Sequence, residues 1–422
     1  MEGWAQTTLG DVCQIELGRT PARKDPALWD TKKTSSNVWL SIADLPTTVN
    51  AVAIDSKEYI SDAAAIQGRL VPEGTLLASF KLTLGRLAFA GRDLFTNEAI
   101  ASLTIRDERQ ASTQYLYWYL TYFDWDKAAE GDEKIKGKTL NKAKLKVLPV
   151  TLPPLPEQER IVAILDEAFA AIETATAHTE KNLANARELF ESEREEQLKI
   201  AASKSQEVKL GKLITIKHGF PFLGEHFSQS GDFVLLTPGN FFETGGYRDR
   251  KEKQKYYTGE FPEEYVLDER DLLLVMTEQA KGLLGSPLLV PESNKFLHNQ
   301  RLGLVTSVHG SNCDPNFFFH LFNSRKFRSA LQDSATGTKV RHTSPKKILD
   351  VSLSIPQSIE TQQKIASRIE SLDKVVHGML LTFRKKSEGL STLKQSLLQK
   401  AFTGELTSDK KAADRTLSEA GL

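Results

Sequence analysis

The residues of this chain best placed to do chemistry are cations gathered beside glycine. Lys134, Lys136, Lys138, Lys142, Lys144 and Lys146 crowd one short stretch, and Lys339, Arg341, His342, Lys346 and Lys347 crowd another in the second half. Cationic side chains on a pliant backbone suit phosphate oxygens, the contacts that position a protein on DNA. The turns Gly18-Arg19-Thr20-Pro21 and Gly219-Phe220-Pro221 are a second pair of candidates. Glycine there lets backbone come close to a ligand, and Arg19 has the forked donors that read guanine. Arg19, Thr20 and Phe220 are the side chains these turns offer.

Other chemistries find no support. Gly131 to Thr139 ends like a phosphate-cradling loop, but five residues separate its glycines where convergence of the backbone N–H groups needs four. It also follows a helix-like stretch, not a strand. No Gly-x-Gly-x-x-Gly follows a strand, and no Asn/Asp-Pro-Pro-aromatic tetrapeptide of the amino-methyltransferase kind occurs. The eight histidines form no ligand pair at metal spacing, and His178 and His377 fall on helices. Cys13 and Cys313 read as small buried hydrophobes in a reducing compartment. Lys+Arg and Asp+Glu are each 55, so bulk positive charge does not drive nucleic-acid binding. The first residues lack a secretory pattern, and no apolar run approaches the ~20 residues that span a bilayer. The expectation is a cytoplasmic chain with no membrane partner and no cofactor of its own.

What must position these residues is a unit that occurs twice. Strands are expected at 38–42, 74–80, 87–90 and 101–105, then an aromatic helix at 115–123. The same order returns at 233–236, 271–275 and 302–305, with Phe317 to Phe322 as the second aromatic helix. Leu9-Gly10 and Leu210-Gly211 open the two copies. Each ends in a proline gate, Leu152-Pro153-Pro154-Leu155-Pro156-Glu157-Gln158 and Ile355-Pro356-Gln357-Ser358-Ile359-Glu360-Thr361-Gln362. A repeat of this size means two domains, because solenoid repeats are ~20–50 residues. The boundaries expected are a domain at 1–150, gate and helix at 151–204, a domain at 205–354, gate and helix at 355–406, and a polar tail at 407–422.

After each gate, apolar residues recur at helical spacing. Ile161, Leu165 and Ile172 mark the first stripe, and Ile365, Leu372 and Met379 the second. At 1.5 Å per residue each helix is ~60–70 Å long. Neither buries its stripe alone, so antiparallel packing of the two is expected. The fold class is α+β: two similar globular domains and two long antiparallel coiled-coil helices, related by a pseudo-two-fold internal repeat.

The two gates, the helices after them, Leu9-Gly10-Asp11-Val12 and the segment Lys394-Gln395-Ser396-Leu397-Leu398-Gln399-Lys400-Ala401-Phe402-Thr403-Gly404-Glu405-Leu406 resemble the specificity subunits of type I restriction–modification systems. The likeness covers essentially the whole chain. The second gate departs from it, with Thr361 in place of Glu157 and Gln357 in place of a second proline. The resemblance implies two target-recognition domains, each reading half of a bipartite double-stranded DNA sequence, and a helical spacer that docks two modification subunits. Those partners would bind S-adenosylmethionine and methylate adenine at N6. Restriction subunits would add ATP- and Mg-dependent translocation and cleavage. This chain itself would not catalyse. The rival reading is a coiled-coil scaffold or DNA-binding adaptor outside restriction–modification.

Overall fold

The computed structural model describes residues 3–131, 133–134, 137–279, 282–309 and 312–408. It divides into two compact units, Met1–Glu180 with Arg384–Leu422, and Lys181–Phe383. Each unit holds one globular domain and a stretch of both long helices, Leu155–Ser203 and Ile359–Thr403. The α+β class and the internal repeat expected from the sequence are both present.

In the first unit a five-stranded sheet runs in the order Cys13–Leu17, Ile100–Ile105, Leu76–Ser79, Leu87–Ala90, Val52–Ala53. Its pairs are antiparallel except the last. Leu76–Ser79 is central and buried at every position, which is why it reads as a continuous apolar run without alternation. A small sheet, Glu58–Tyr59, Val38–Leu40, Phe95–Thr96, packs beside it. The aromatic helix Thr113–Tyr122 starts where the Ser112 hydroxyl caps the Tyr115 N–H, and Tyr115 to Leu120 are all buried. On this core lie Ile161, Leu165 and Phe169 of the first long helix and Leu397, Leu398, Ala401 and Phe402 of the second. Phe402 stacks on Tyr122 and meets Tyr115 and Tyr119 edge-on. The helix stretches run antiparallel here: Glu157 accepts a hydrogen bond from Thr407, while Phe169, further along the first helix, lies under Lys394, earlier on the second.

The second unit repeats this plan. Ile214–His218, Leu302–Ser307, Leu272–Val275 and Pro287–Leu289 form an antiparallel sheet in that order. A companion sheet pairs Phe233–Leu235 in parallel with Phe296–Leu297, as Val38–Leu40 pairs with Phe95–Thr96. The aromatic helix Pro315–Phe322 is capped by Asp314. Leu198 of the first long helix shares its core with Ala366 and Ile369 of the second.

Each domain is closed by its own ends. Ala5–Thr8 pairs antiparallel with Pro149–Leu152, and Glu207–Lys209 with Ser352–Ser354. Leu9 N–H donates to Leu148 O and Leu210 N–H to Val351 O. The glycines after these leucines let the closing segments cross: a Cβ at Gly10 would come within 3.0 Å of Lys146, and one at Gly211 within 3.3 Å of Leu349.

The gates explain how the helices start. Gln158 and Gln362 are completely buried. The Gln158 carbonyl accepts from Ser112 N–H at 3.0 Å, and its amide donates to the carbonyls of Gln110 and Pro153 at 2.7 and 2.8 Å. Gln362 does the same with Asp314, Asn312 and Pro356 at 2.8, 3.0 and 2.7 Å. Where the first gate turns on Pro154, whose carbonyl receives the N–H groups of Glu157 and Gln158, the second uses the Ser358 hydroxyl as a cap for Thr361. The departures in the second gate thus leave its anchoring glutamine unchanged.

The two helical stripes are buried unevenly. Ile161, Leu165 and Ile172 are 0%, 0% and 4% exposed, Ile365 and Leu372 are half-buried, and Met379 is 42% exposed. Ile161 and Leu165 are thus spent on the chain's own core, and a partner on this helix would meet their outward neighbours. On the second helix Ile369 and Val376 carry the burial, while Met379 and Leu393 face out. No described helix is long and apolar enough to cross a membrane.

Candidate nucleic-acid interface

The turn Gly18-Arg19-Thr20 sits against the turn that links Phe95–Thr96 to Ile100–Ile105. Arg19 N–H donates to Thr96 O at 2.8 Å, and the Trp39 indole N–H to Arg19 O at 3.0 Å. A Cβ on Gly18 would overlap the carbonyls of Thr96 and Asn97. The second unit repeats the backbone contact and the crowded glycine. Phe220 N–H donates to His298 O at 2.9 Å, and a Cβ on Gly219 would overlap the carbonyls of His298 and Asn299. Both glycines therefore admit the chain's own backbone, and the expectation that they open room for a ligand is corrected. Asn97 and Asn299 fix the two turns identically, each accepting from the N–H two residues on at 3.0 Å.

The side chains on this frame differ. Arg19 is exposed, with one long contact from its guanidinium to Gln67 O at 3.5 Å. Thr20 donates its hydroxyl hydrogen bond to the Glu98 carboxylate. Burial pushes the Glu98 carboxyl up, but the Thr20 bond, a backbone bond and the charges of Lys81 and Arg23 together hold it below its ordinary value. Beside them is a cleft of about 110 Å³. Thr96, 1% exposed and with no hydrogen-bond partner for its hydroxyl among the described residues, lines it. In the second unit Phe220 is half-buried beside Phe222 and Tyr265, ring centroids 5.1 and 5.3 Å away.

The two basic segments leave the domains at matching points. Leu140 N–H donates to Phe80 O at 3.0 Å, and Thr343 N–H to Met276 O at 2.9 Å, each just beyond a central strand. Lys134 and Lys138 lie on a two-stranded ribbon, Glu133–Lys134 with Gly137–Lys138, while Lys136 lies outside the described residues. Lys142–Lys146 is a short helix capped by Asn141 that buries Leu145, and Pro345–Leu349 is its counterpart, capped by Ser344 and burying Ile348. The lysines on these helices thus belong to ordered caps, not to flexible loops. Lys339 is exposed at the tip of the second segment.

Arg341 and His342 form a ribbon with Thr277–Glu278. The Arg341 guanidinium is committed internally, 3.3 Å from Glu278 and bonded to Gln332. Glu278 is 1% exposed and also receives the N–H groups of Gly282 and Leu284 at 3.0 and 2.8 Å. Arg341 therefore neutralises a buried acid, and its assignment to DNA is corrected on that ground. His342 is exposed, its Nδ1 3.0 Å from the Thr277 hydroxyl. Sequence reasoning passed over Glu98 and Gln300, exposed at matching positions of the two turns. The signal was present: Thr96-Asn97-Glu98-Ala99-Ile100 and His298-Asn299-Gln300-Arg301-Leu302 are copies at the same place in the repeat.

Two like domains, each bearing a divergent turn and a basic tip, define a protein built around paired recognition elements. A sequence model of the type I restriction modification DNA specificity domain matches residues 1–183 and 202–379. The chain belongs to that family of type I restriction–modification specificity subunits. It is 25% identical over 206 residues to the type I restriction enzyme EcoBI specificity subunit of Escherichia coli, a match covering 48% of this chain and 40% of that one. It is 21% identical over 279 residues to a putative type I specificity subunit, S.HindORF215P, of Haemophilus influenzae, covering 65% and 68%. Among solved structures, the fold resembles a chain from work on complex assembly and conformational transition of the type I restriction–modification system, with a TM-score of 0.73 and 15% identity over 96% of this chain and 99% of that one. It also resembles the HsdS subunit from Thermoanaerobacter tengcongensis, with a TM-score of 0.55 and 16% identity over 96% and 98%.

Proposed function

We propose that each globular domain reads one half of a bipartite double-stranded DNA target. In this reading the two long helices set the spacing between the halves and dock two modification subunits. The observation that carries it is the contrast within the repeat: the closing ribbons and the anchoring glutamines are the same, while the side chains on the exposed turns differ. A common frame suits two copies of one partner, and unlike turns suit two unlike half-sites. Phosphate contacts are assigned to Lys134, Lys136, Lys138 and Lys339 and base contacts to the turns at Arg19, Thr20 and Phe220. His342, exposed beside Lys339, joins the phosphate set.

Family membership supports a division of labour. S-adenosylmethionine, with adenine-N6 methylation, would belong to the modification subunits, and ATP and Mg to restriction subunits that join them. The site of action is the cytoplasm, where the DNA is. The test is a methylome of cells that carry this chain with its modification partner. Methylation at one bipartite sequence is expected, and a complex that marks or protects no specific site overturns the reading. Deleting one heptad from both helices should shorten the spacing by about three base pairs, because seven residues span ~10 Å and B-DNA rises ~34 Å per turn.

A further inference from the structure

The matched turns at 96–99 and 298–301 carry a pair of exposed side chains that is equivalent in position and different in hydrogen-bonding character. Three observations meet there. The frame is over-determined: a glycine that tolerates no Cβ, an asparagine turn and the first residues of a central strand hold each tip at its place. A side chain so mounted is positioned well enough to discriminate bases. The residue on the tip is Glu98 in one unit and Gln300 in the other, nearly the same shape with opposite repertoires, since a carboxylate only accepts and an amide both donates and accepts. And the Glu98 carboxylate accepts from the Thr20 hydroxyl, next to a cleft lined by the buried Thr96 hydroxyl, which has no hydrogen-bond partner among the described residues. An acid on a phosphate-contacting face would be repelled by the backbone, so its use on such a face is to accept from a base.

We propose that Glu98 and Gln300 are the specificity-determining residues of the two turns, Glu98 accepting from the exocyclic amine of a cytosine and Gln300 pairing with an adenine in the other half-site. This rests on the DNA-reading function proposed above. The frame turns are then common mounts, and the two halves of the target differ because the mounted groups differ.

The experiment is selection from a randomised duplex library by the full chain assembled with its modification subunits. If the parental complex enriches no bipartite sequence, the DNA-reading function falls and takes this inference with it. If it enriches one, the near-isosteric exchanges E98Q and Q300E decide. Each is expected to change the base preference about tenfold at one position of one half-site and to leave the other half unchanged. Variants that select the parental sequence, or that weaken all sequences equally, overturn the assignment while leaving the general function intact. Should E98Q fail to assemble, Glu98→Ala provides the reading: it removes the acceptor itself and should blur one position only. Unchanged selection by that variant overturns the proposal equally.

Discussion

Gln158 and Gln362 make the same three hydrogen bonds in their respective units, each to the residue before an aromatic helix, to a carbonyl two residues earlier, and to the proline of its own gate. Each glutamine therefore ties the start of a long helix to the start of an aromatic one. Replacing either by Ala leaves a backbone N–H and two carbonyls without this partner, of which the bond to the gate proline is buried in both units, at about 1–3 kcal/mol for a buried group left unpaired. Q158A and Q362A should each destabilise the unit that contains them. Hydrogen exchange resolved by segment should show the loss at Thr113–Tyr122 for the first and at Pro315–Phe322 for the second. Equal loss in both units, or none, would contradict the tether.

Arg341 and Lys339 are two residues apart and should behave oppositely. R341A leaves Glu278 charged and buried without its partner and should cost about 3 kcal/mol in chemical denaturation. K339A should leave stability within about 0.5 kcal/mol, weaken binding to every duplex alike, and reduce the salt slope of binding by about 1.

The helix glycines give a test with the opposite sign. Gly378 and Gly389 sit inside Ile359–Thr403, and a Cβ at either meets nothing within 4 Å. G378A and G389A should each stabilise the chain by about 1 kcal/mol, since alanine confines the unfolded backbone and favours the helix. G18A and G219A should unfold their turns, because the added carbon has carbonyl oxygens in its place. Paired melting curves of the four variants would separate the two kinds of glycine.

Acid should weaken the second unit before the first. Burial pushes His298 and His320 down to about 4 from 6.5. Between those values the unfolded chain binds more protons than the folded one. Stability is thus complete above pH 6.5 and falls as pH drops towards 4, by about 3 kcal/mol for each imidazole. The first histidine of the chain is His178, so the first domain has no such groups, while all five tryptophans lie in it. Indole fluorescence should stay native-like at a pH where amide protection of Leu302–Ser307 has declined. Simultaneous loss would refute the assignment.

The architecture was legible because it was written twice. Weak strand signals at 74–80 and 271–275 gained weight from recurring in order, and both long helices were visible from their lack of internal proline. The stripe along the second helix was less legible, since heptad spacing cannot tell which neighbour covers each position: Met379 keeps the step and faces out, while Val376 is buried. Arg341 read as a DNA contact because its counter-charge, Glu278, lies far away in sequence. Glu98 and Gln300 were hidden by their chemistry, an acid and an amide where a search for DNA contacts looks for cations. Glycines 18 and 219 were singled out correctly as places of close backbone approach, but a turn on the same domain is what approaches them.

The ribbons that close each domain have a consequence for how such proteins can change over generations. Ala5–Thr8 lies against Pro149–Leu152, and Glu207–Lys209 against Ser352–Ser354, so each domain's first and last residues leave from the same spot. A recombination event that exchanges everything between two such strands alters what is read and leaves the helices and their anchoring glutamines in place. The domain is in this sense a cartridge, and a genome holding several of them could acquire a new specificity in one segment exchange instead of by accumulated point substitutions.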